Sequence, residues 1–525
     1  MALQAADVVG SDNDAVRDRC GSATRSRGAT RGGAGDADPC RERRQRAMMR
    51  GALLALVAGV VVAVLLEIVT ATPRSIIDFT AFYCAGSVVR DHGDPYRAQP
   101  LGACEASVAS EGIYDVRGVV MPAPLPPYAL APFAALAGLR YERALMAWRL
   151  LLLVAITATI AALRKVARLP WLAIAIALLM IDAIDDVSQG QPVPLVVAAI
   201  ALAAWALSRG ADRWAGVAAC ITMFEPHVGL PVCLSLYLYR PAARASLLCG
   251  SIVAAALSVI MLPASTSVEY VTRVLPQHAA SEIPWFFQYS LTNALYSLGV
   301  SGEASLILGS LSYVAMLSIA LIIAPRAAAR LDEPGLLVAL PAALVIFGGT
   351  YIHLSQIALA IPAALLLAGR APGVLARVAG VACVLLTVPG IQFGFDSFSM
   401  VWIAAGIAGV LTALLLRPPL VVAAIAAVAV LAGGFALHGM HPVRVRAQHA
   451  PTMSALGAGA LADESWTRFV RAEDPGLREH QFELLAKAPT WAGLGLLCGA
   501  SALSAFAGVR GKTKAEAALP DPCRG

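Results

Sequence analysis

Apolar runs of about 17 to 22 residues, long enough to cross the ~30 Å hydrocarbon core of a bilayer as helices, recur along this chain from residue 50 to residue 510. A soluble fold of 525 residues requires far more polar surface than a composition of 58% hydrophobic and 14% charged residues supplies. The expected fold class is therefore all-α, a polytopic helical membrane protein with about 12 to 14 transmembrane helices. The net charge of +6 comes almost entirely from arginine, since Lys165, Lys487, Lys512 and Lys514 are the only lysines, and these arginines are scattered between the apolar runs. Charge placed this way orients helices in a membrane and makes no nucleic-acid surface, so no nucleic-acid partner is expected. The ten cysteines show no CxxC or Cys/His metal spacing; Cys220, Cys233, Cys249, Cys383 and Cys498 lie inside apolar runs as small buried hydrophobes.

Residues 1–48 are polar and rich in Arg, Asp, Gly and Ala, and read as a disordered cytoplasmic tail or, alternatively, as an extension upstream of a true start at Met48 or Met49. A transmembrane domain is expected over 49–437. Its first span, Met49 to Thr70, follows the basic cluster RERRQR, which places its N-terminus in the cytoplasm. Residues 71–143 then form an outer loop. Within it, MPAPLPPYALAPFAALAGL carries Pro122, Pro124, Pro126, Pro127 and Pro132, and is read as an interfacial or half-inserted element because proline breaks a regular helix. Further spans are expected near 144–163, 170–186, 192–208, 245–263, 303–324, 336–352, 354–369, 373–389, 400–416, 419–437 and 490–509. An extracytoplasmic loop at 438–489 and a cytoplasmic tail at 510–525 complete the organisation.

The stretch from Trp214 to Tyr239 tests this topology, because RGADR precedes it and RPAAR follows it. One long helix would put RPAAR and every later basic loop outside, against the charge rule. Two short helices, each ~16 to 20 Å long, instead rise and return as a hairpin with Glu225-Pro226-His227 at its tip. Under this count Asp78, Asp182, Asp185, Asp186, Glu225, His227, His353 and Gln356 all fall near the outer ends of helices. A carboxylate at mid-membrane costs ~2.5 to 3.5 kcal/mol, so such groups either line a cavity or cap helices at headgroup level. Both readings stay open for the three downstream aspartates and for His353.

IDFTAFYCAGSVVRDHGDPY, with Asp78 just beyond the first span, resembles the first extracytoplasmic loop of glycosyltransferase family 87. PPYALAPFAAL, QGQPVPLVVAAIALAAWAL with RWAGVAACITMFEPHVGLPVCL, SLTNALYSL and YIHLSQIALAIPAAL follow in the family's order, over residues 50 to about 370. The resemblance implies a GT-C-like architecture with a helical first outer loop. It also implies a mannosyltransferase-like enzyme that takes a hexose from a polyprenyl-phosphate donor in the plasma (inner) membrane. Two positions depart from the family pattern: Pro192-Val193-Pro194 stands where a polar Asn is usual, and Glu225-Pro226 where Lys-Pro is usual.

Such a transfer needs a base for the acceptor hydroxyl and hydrogen-bonding or cationic groups for the departing phosphate. Asp78 is the expected base, and one carboxylate acting opposite the leaving phosphate implies inversion at the anomeric carbon. His353 and His227, with Arg74 or Arg90 as auxiliaries, are the expected phosphate-binding residues. Tyr83, Asp186, Gln191, Glu225 and Gln356 are expected to line the acceptor site. The expected partners are the polyprenyl-phosphate sugar, a lipid or glycan acceptor, and membrane lipids. No Gly-rich nucleotide loop and no DxD motif in a soluble domain is present, so direct use of a nucleotide sugar is disfavoured; no metal and no other cofactor is expected. A lipid-linked glycan ligase or polymerase, and a lipid or solute transporter, are the alternative classes. The stretch DESWTRFVRAEDPGLREHQFELLAKA holds aromatic and acidic groups able to bind a sugar, yet reads more simply as a solvated helix on the membrane surface. For Cys84 and Cys104, 20 residues apart in one outer loop, two readings stay open: a disulfide in an oxidising compartment, or Cys84 as packing on an amphipathic helix.

Overall fold

A computed structural model describes residues 70–113, 116–178, 186–388, 398–416, 420–440, 456–457, 459–474 and 476–506. The N-terminal tail, all but the end of the first expected span, Asp182, Asp185 and the C-terminal tail lie outside the described residues. Among the described residues the protein is helical, with β contacts limited to isolated bridges.

Among the described residues, four helices are long and apolar enough to cross a membrane: Tyr141–Ala167, Pro241–Met261, Gly302–Leu331 and Leu477–Phe506. Shorter apolar helices, including Val193–Ser208, Leu336–Ile346 and Gly373–Thr387, accompany them. The Leu336–Ile346 helix is buried at all eleven positions, as expected for a helix apolar on every face that stands at the centre of a bundle. The Arg244–Met261 helix is the opposite case: only Leu247 is buried, and Ile252, Val259 and Ile260 are exposed in the manner of lipid-facing residues. At one end of the bundle Arg370 pairs with the fully buried Glu333 at 2.8 Å and donates through Nε to the Val166 carbonyl at 2.8 Å, which ties three helix ends together.

The expected hairpin is present. Asp212–Ile221 and Pro226–Tyr239 are separate helices joined through a tight turn at Thr222–Phe224. Their contacts step inward from the ends as antiparallel packing requires: Arg240 meets Asp212 at 4.0 Å, Cys233 meets the Ala219 carbonyl at 3.4 Å, and Gly229 lies on Thr222. A side chain on Gly229 would come within 2.5 Å of the Thr222 carbonyl oxygen, so the two arms close only over glycine. Cysteines placed at Ser208 and Ala242 in a Cys-free background should therefore behave alike, both missed by an impermeant reagent added outside. Labelling of Ala242→Cys alone overturns this topology.

Three expectations need correction. The span expected at 336–352 stops at Ile346, and residues 347–354 run without regular helix until Ser355. Gly349, with φ of +117°, makes this break possible, since that backbone region is open to glycine and strained for other residues. Irregular backbone at such depth is tolerated where it is buried in protein or lines a cavity. The last helix begins at Leu477 and runs through Pro489, rather than starting at residue 490. The stretch DESWTRFVRAEDPGLREHQFELLAKA is not one solvated surface helix: it divides between the Ala462–Ala472 helix, with Asp463, Trp466, Phe469 and Val470 buried, and the first turns of the last helix. Burial of the Ala462–Ala472 helix follows from sequence separations that no local pattern reports: Ala98 donates to the Ala460 carbonyl and Ala462 to the Tyr96 carbonyl, both at 2.9 Å. Arg97 completes the clasp with a two-pronged bond to Glu269 at 2.7 and 2.8 Å.

The segment expected as the first outer loop is helical, with helices at Asp78–Arg90 and Ala98–Val108 joined by the Cys84–Cys104 disulfide. The proline-rich segment forms only a short turn at Pro127–Leu130 and a helix at Ala131–Leu136, together too short to span.

Candidate active site

Asp78 is the first residue of its helix, where a carboxylate is favoured by the helix dipole and the unpaired N-terminal N–H groups. The entry is set by Thr80, whose hydroxyl accepts from the Ile77 N–H at 3.2 Å and shares a hydrogen bond with the Tyr141 hydroxyl at 2.8 Å. Gln191 donates its side-chain amide to Asp78 at 2.7 Å across 113 positions of sequence. Gly190, at φ +78°, permits that approach, because a Cβ there would sit 2.6 Å from Phe79. The Gly190 and Gln191 N–H groups both return to the Asp186 carbonyl at 2.8 Å, closing the turn.

Two adjacent residues of the Tyr141–Ala167 helix hold these segments in place. Trp148 donates its indole N–H to the Gly190 carbonyl at 2.8 Å. Arg149, only 3% exposed, donates to the carbonyls of Val187 at 3.1 Å and Ser188 at 2.6 Å, and also to the carbonyl of Ala71. One guanidinium thus links the turn that carries Gln191 to the segment that leads into Asp78.

A second group of polar residues comes from the irregular segment at 347–354 and the loop at 282–290. Gln356 donates to Glu225 at 2.9 Å, and the His227 ring lies 3.8 Å from the same carboxylate oxygen. The Gln356 side-chain oxygen also accepts from the His353 N–H at 2.9 Å. His353 contacts Glu282 at 3.1 Å, and Glu282 accepts from Gln288 at 3.3 Å and from the indole of Trp466. Three hydrogen bonds then zip the loop to the irregular segment: Ile352 N–H to the Gln288 side chain, Tyr289 N–H to the Ile352 carbonyl, and Leu354 N–H to the Phe287 carbonyl.

Tyr351 joins the two groups. Its hydroxyl is 3.0 Å from His278, whose other ring nitrogen is 2.7 Å from Asp463, and its ring lies 4.8 Å from that of His353. Asp78, Glu225, Glu282 and Asp463 all lie close enough to act electrostatically on this hydroxyl. Burial opposes charge on His278, but Asp463 and Glu282 outweigh it and raise its pKa above the ordinary imidazole value. Burial likewise opposes charge on Glu282, and the hydrogen bond and charge of His353, followed by His278 and Gln288, outweigh it and lower its pKa below the usual carboxylate range. The result is a cluster of carboxylates interleaved with three imidazoles, with Glu225 standing where the resembling pattern carries lysine.

Of the residues expected from sequence, Asp78, Gln191, Glu225, His227, His353 and Gln356 come together here. Asp186 contributes its backbone carbonyl, with its carboxylate buried in the turn. Arg90 does not reach the cluster: it lies about 18 Å along the helix from Asp78, at ~1.5 Å per residue, and donates to the Ala137 carbonyl. Arg74 is exposed, and its carbonyl accepts from Glu111 at 3.0 Å. Tyr83 is packing, with its hydroxyl on the Leu139 carbonyl at 2.9 Å and its ring against Tyr141. Trp148, Arg149, His278, Glu282, Tyr351, Asp463 and Trp466 were not among the expected site residues. The sequence signal for Glu282 and Gln288 was the polar pair flanking PWFF; for Asp463 and Trp466 it was the acidic-aromatic stretch that reads more simply as surface.

Searches of curated proteins and of solved structures return no match. The family model of glycosyltransferase family 87 matches residues 125–352, the segment that contributes Gln191, Glu225, His227, Glu282 and Tyr351 to the cluster. Over that segment, less than half of its length, the chain is similar to glycosyltransferase family 87.

Proposed function

We propose that this membrane-bound glycosyltransferase transfers a mannose-like hexose from a polyprenyl-phosphate donor to a lipid or glycan acceptor. The reaction takes place on the extracytoplasmic side of the plasma membrane, within a GT-C-like bundle of about 12 to 14 crossings. The observation that carries the reading is the Asp78 carboxylate, held at 2.7 Å by Gln191 and close enough to act electrostatically on Tyr351 in a cluster with three imidazoles. Asp78 takes the acceptor hydroxyl proton as that oxygen bonds to the anomeric carbon. The bond from that carbon to the phosphate oxygen breaks from the opposite face, and the electron pair leaves with the polyprenyl phosphate, so configuration inverts. His353 and His227 supply donors to the departing phosphate, a task that the lysine of the family pattern does not perform in a chain with Glu225. Gln191, Glu225 and Gln356 line the acceptor side.

The purified protein in liposomes, supplied with a radiolabelled polyprenyl-phosphate hexose and a membrane lipid extract, should move label from donor to acceptor. Transfer from a nucleotide sugar in the absence of any polyprenyl phosphate overturns the donor assignment.

A further inference from the structure

Glu282 is almost fully buried, and both of its oxygens are engaged: Oε1 by the Trp466 indole, and Oε2 by Gln288 at 3.3 Å and His353 at 3.1 Å. Indole and primary amide groups present only N–H to these oxygens, a set of donors that suits an ionised carboxylate. A carboxylate is acceptor-only, so the His353 nitrogen facing it, Nε2, carries the hydrogen. Nδ1 has no protein partner among the described residues, and the side chain keeps 22% of its surface exposed. The ring is also fixed along the chain, since the His353 N–H is held by Gln356 and the flanking residues are zipped to Phe287, Gln288 and Tyr289.

We propose that Glu282 is a positioning residue that fixes the His353 ring with Nε2–H on the carboxylate and Nδ1 presented to the donor phosphate, an assignment that rests on the polyprenyl-phosphate reading. An anionic phosphate at Nδ1 is bound with uptake of one proton from solvent onto that nitrogen, which completes a carboxylate–imidazolium–phosphate chain in which one ring carries two charge-assisted hydrogen bonds. Trp466 and Gln288 brace the far end of that chain. The outer helix at Ala462–Ala472 is thereby coupled to donor binding, although it touches no substrate atom in this arrangement.

Glu282→Gln tests the idea because glutamine offers one acceptor where glutamate offers two. Indole cannot accept, whereas an imidazole can, so the amide oxygen goes to Trp466 and the amide N–H faces His353. That reverses the histidine: Nε2 becomes the acceptor and Nδ1 takes the hydrogen. Nitrogen NMR of 15N-histidine protein in nanodiscs, with the His353 signal identified by its loss in His353→Asn, reads this state without any turnover. The wild type should show hydrogen on Nε2, and Glu282→Gln should show it on Nδ1. Donor KM should rise about tenfold in Glu282→Gln and stay within about threefold in Glu282→Asp, which keeps the charge. In a His353→Ala background, Glu282→Gln should change donor KM no further.

A bare Nε2 in the wild type, which needs no variant to fold, overturns the proposal. So does an unchanged histidine in a folded Glu282→Gln protein, or a full additional KM loss on top of His353→Ala. If the ring behaves as described but the wild type binds no polyprenyl phosphate, the donor reading is overturned and the phosphate end of the chain falls with it.

Discussion

Asp78→Asn is expected to lower sugar transfer by about 10²- to 10⁴-fold at saturating donor and acceptor, the range typical of a lost general base. Asparagine keeps the shape of aspartate, and its oxygen still accepts from Gln191, which bonds Asp78 at 2.7 Å in the native protein. It cannot take a proton. The loss should therefore fall on kcat and leave donor affinity close to wild type, and the protein should insert and melt normally. A residue that only complements the helix dipole would behave differently, because its loss to asparagine costs ~0.3 to 1 kcal/mol of stability and leaves the rate close to wild type. Transfer above about a tenth of the wild-type rate, less than the smallest loss the role implies, removes Asp78 as the base.

Arg149→Ala is expected to have the next largest effect, through architecture. Its guanidinium bonds the carbonyls of Val187 and Ser188 on one side and of Ala71 on the other, and charge-assisted bonds of this kind contribute ~1.5 to 3 kcal/mol each. Without it the Gln191 turn and the entry to Asp78 lose their common tie, and buried carbonyls lose donors. Transfer should drop at least about 10²-fold, with a clear fall in Tm in detergent. The expected loss in rate follows from the sensitivity of catalysis to ~1 Å displacements. Arg149→Lys is the sharper measurement: an ammonium is a point charge and cannot serve carbonyls in three directions as a planar fork does, so it should recover less than about a tenth of the activity. A lysine variant near wild-type rates shows that charge alone matters at this position and disposes of the bracing role.

The polar residues that interrupt apolar runs near helix ends were legible in the sequence, because a carboxylate or imidazole there stands out against its apolar neighbours. Asp78, Glu225, His227, His353 and Gln356 were found in this way, and Gln191 through the QGQ element of the family resemblance. The hairpin was legible for a different reason: basic residues on both flanks of Glu225 left only one topology compatible with the charge rule, and Arg240 opposite Asp212 is its structural expression. The early start of the last helix was hidden because its first turns, LREHQFELLAKA, are polar and bury His480, Glu483 and Lys487 against protein instead of lipid.

The outer cluster was not legible, and the distances in sequence show why. Trp466 reaches Glu282 across 184 positions, and Asp463 reaches His278 across 185. No periodicity or flanking charge reports such pairings, and an amphipathic helix with a polar face looks the same in sequence whether that face meets water or a buried histidine. Arg149 escaped notice likewise, as an arginine near the start of a span usually serves orientation, and its carbonyl partners lie on two remote segments. Hydrophobic length and charge bias are local quantities integrated along the chain, so the sequence by itself determined that this is an all-helical membrane protein and which polar residues interrupt its apolar runs. Which carboxylate meets which imidazole depends on where the chain folds back, and that only the tertiary structure decided.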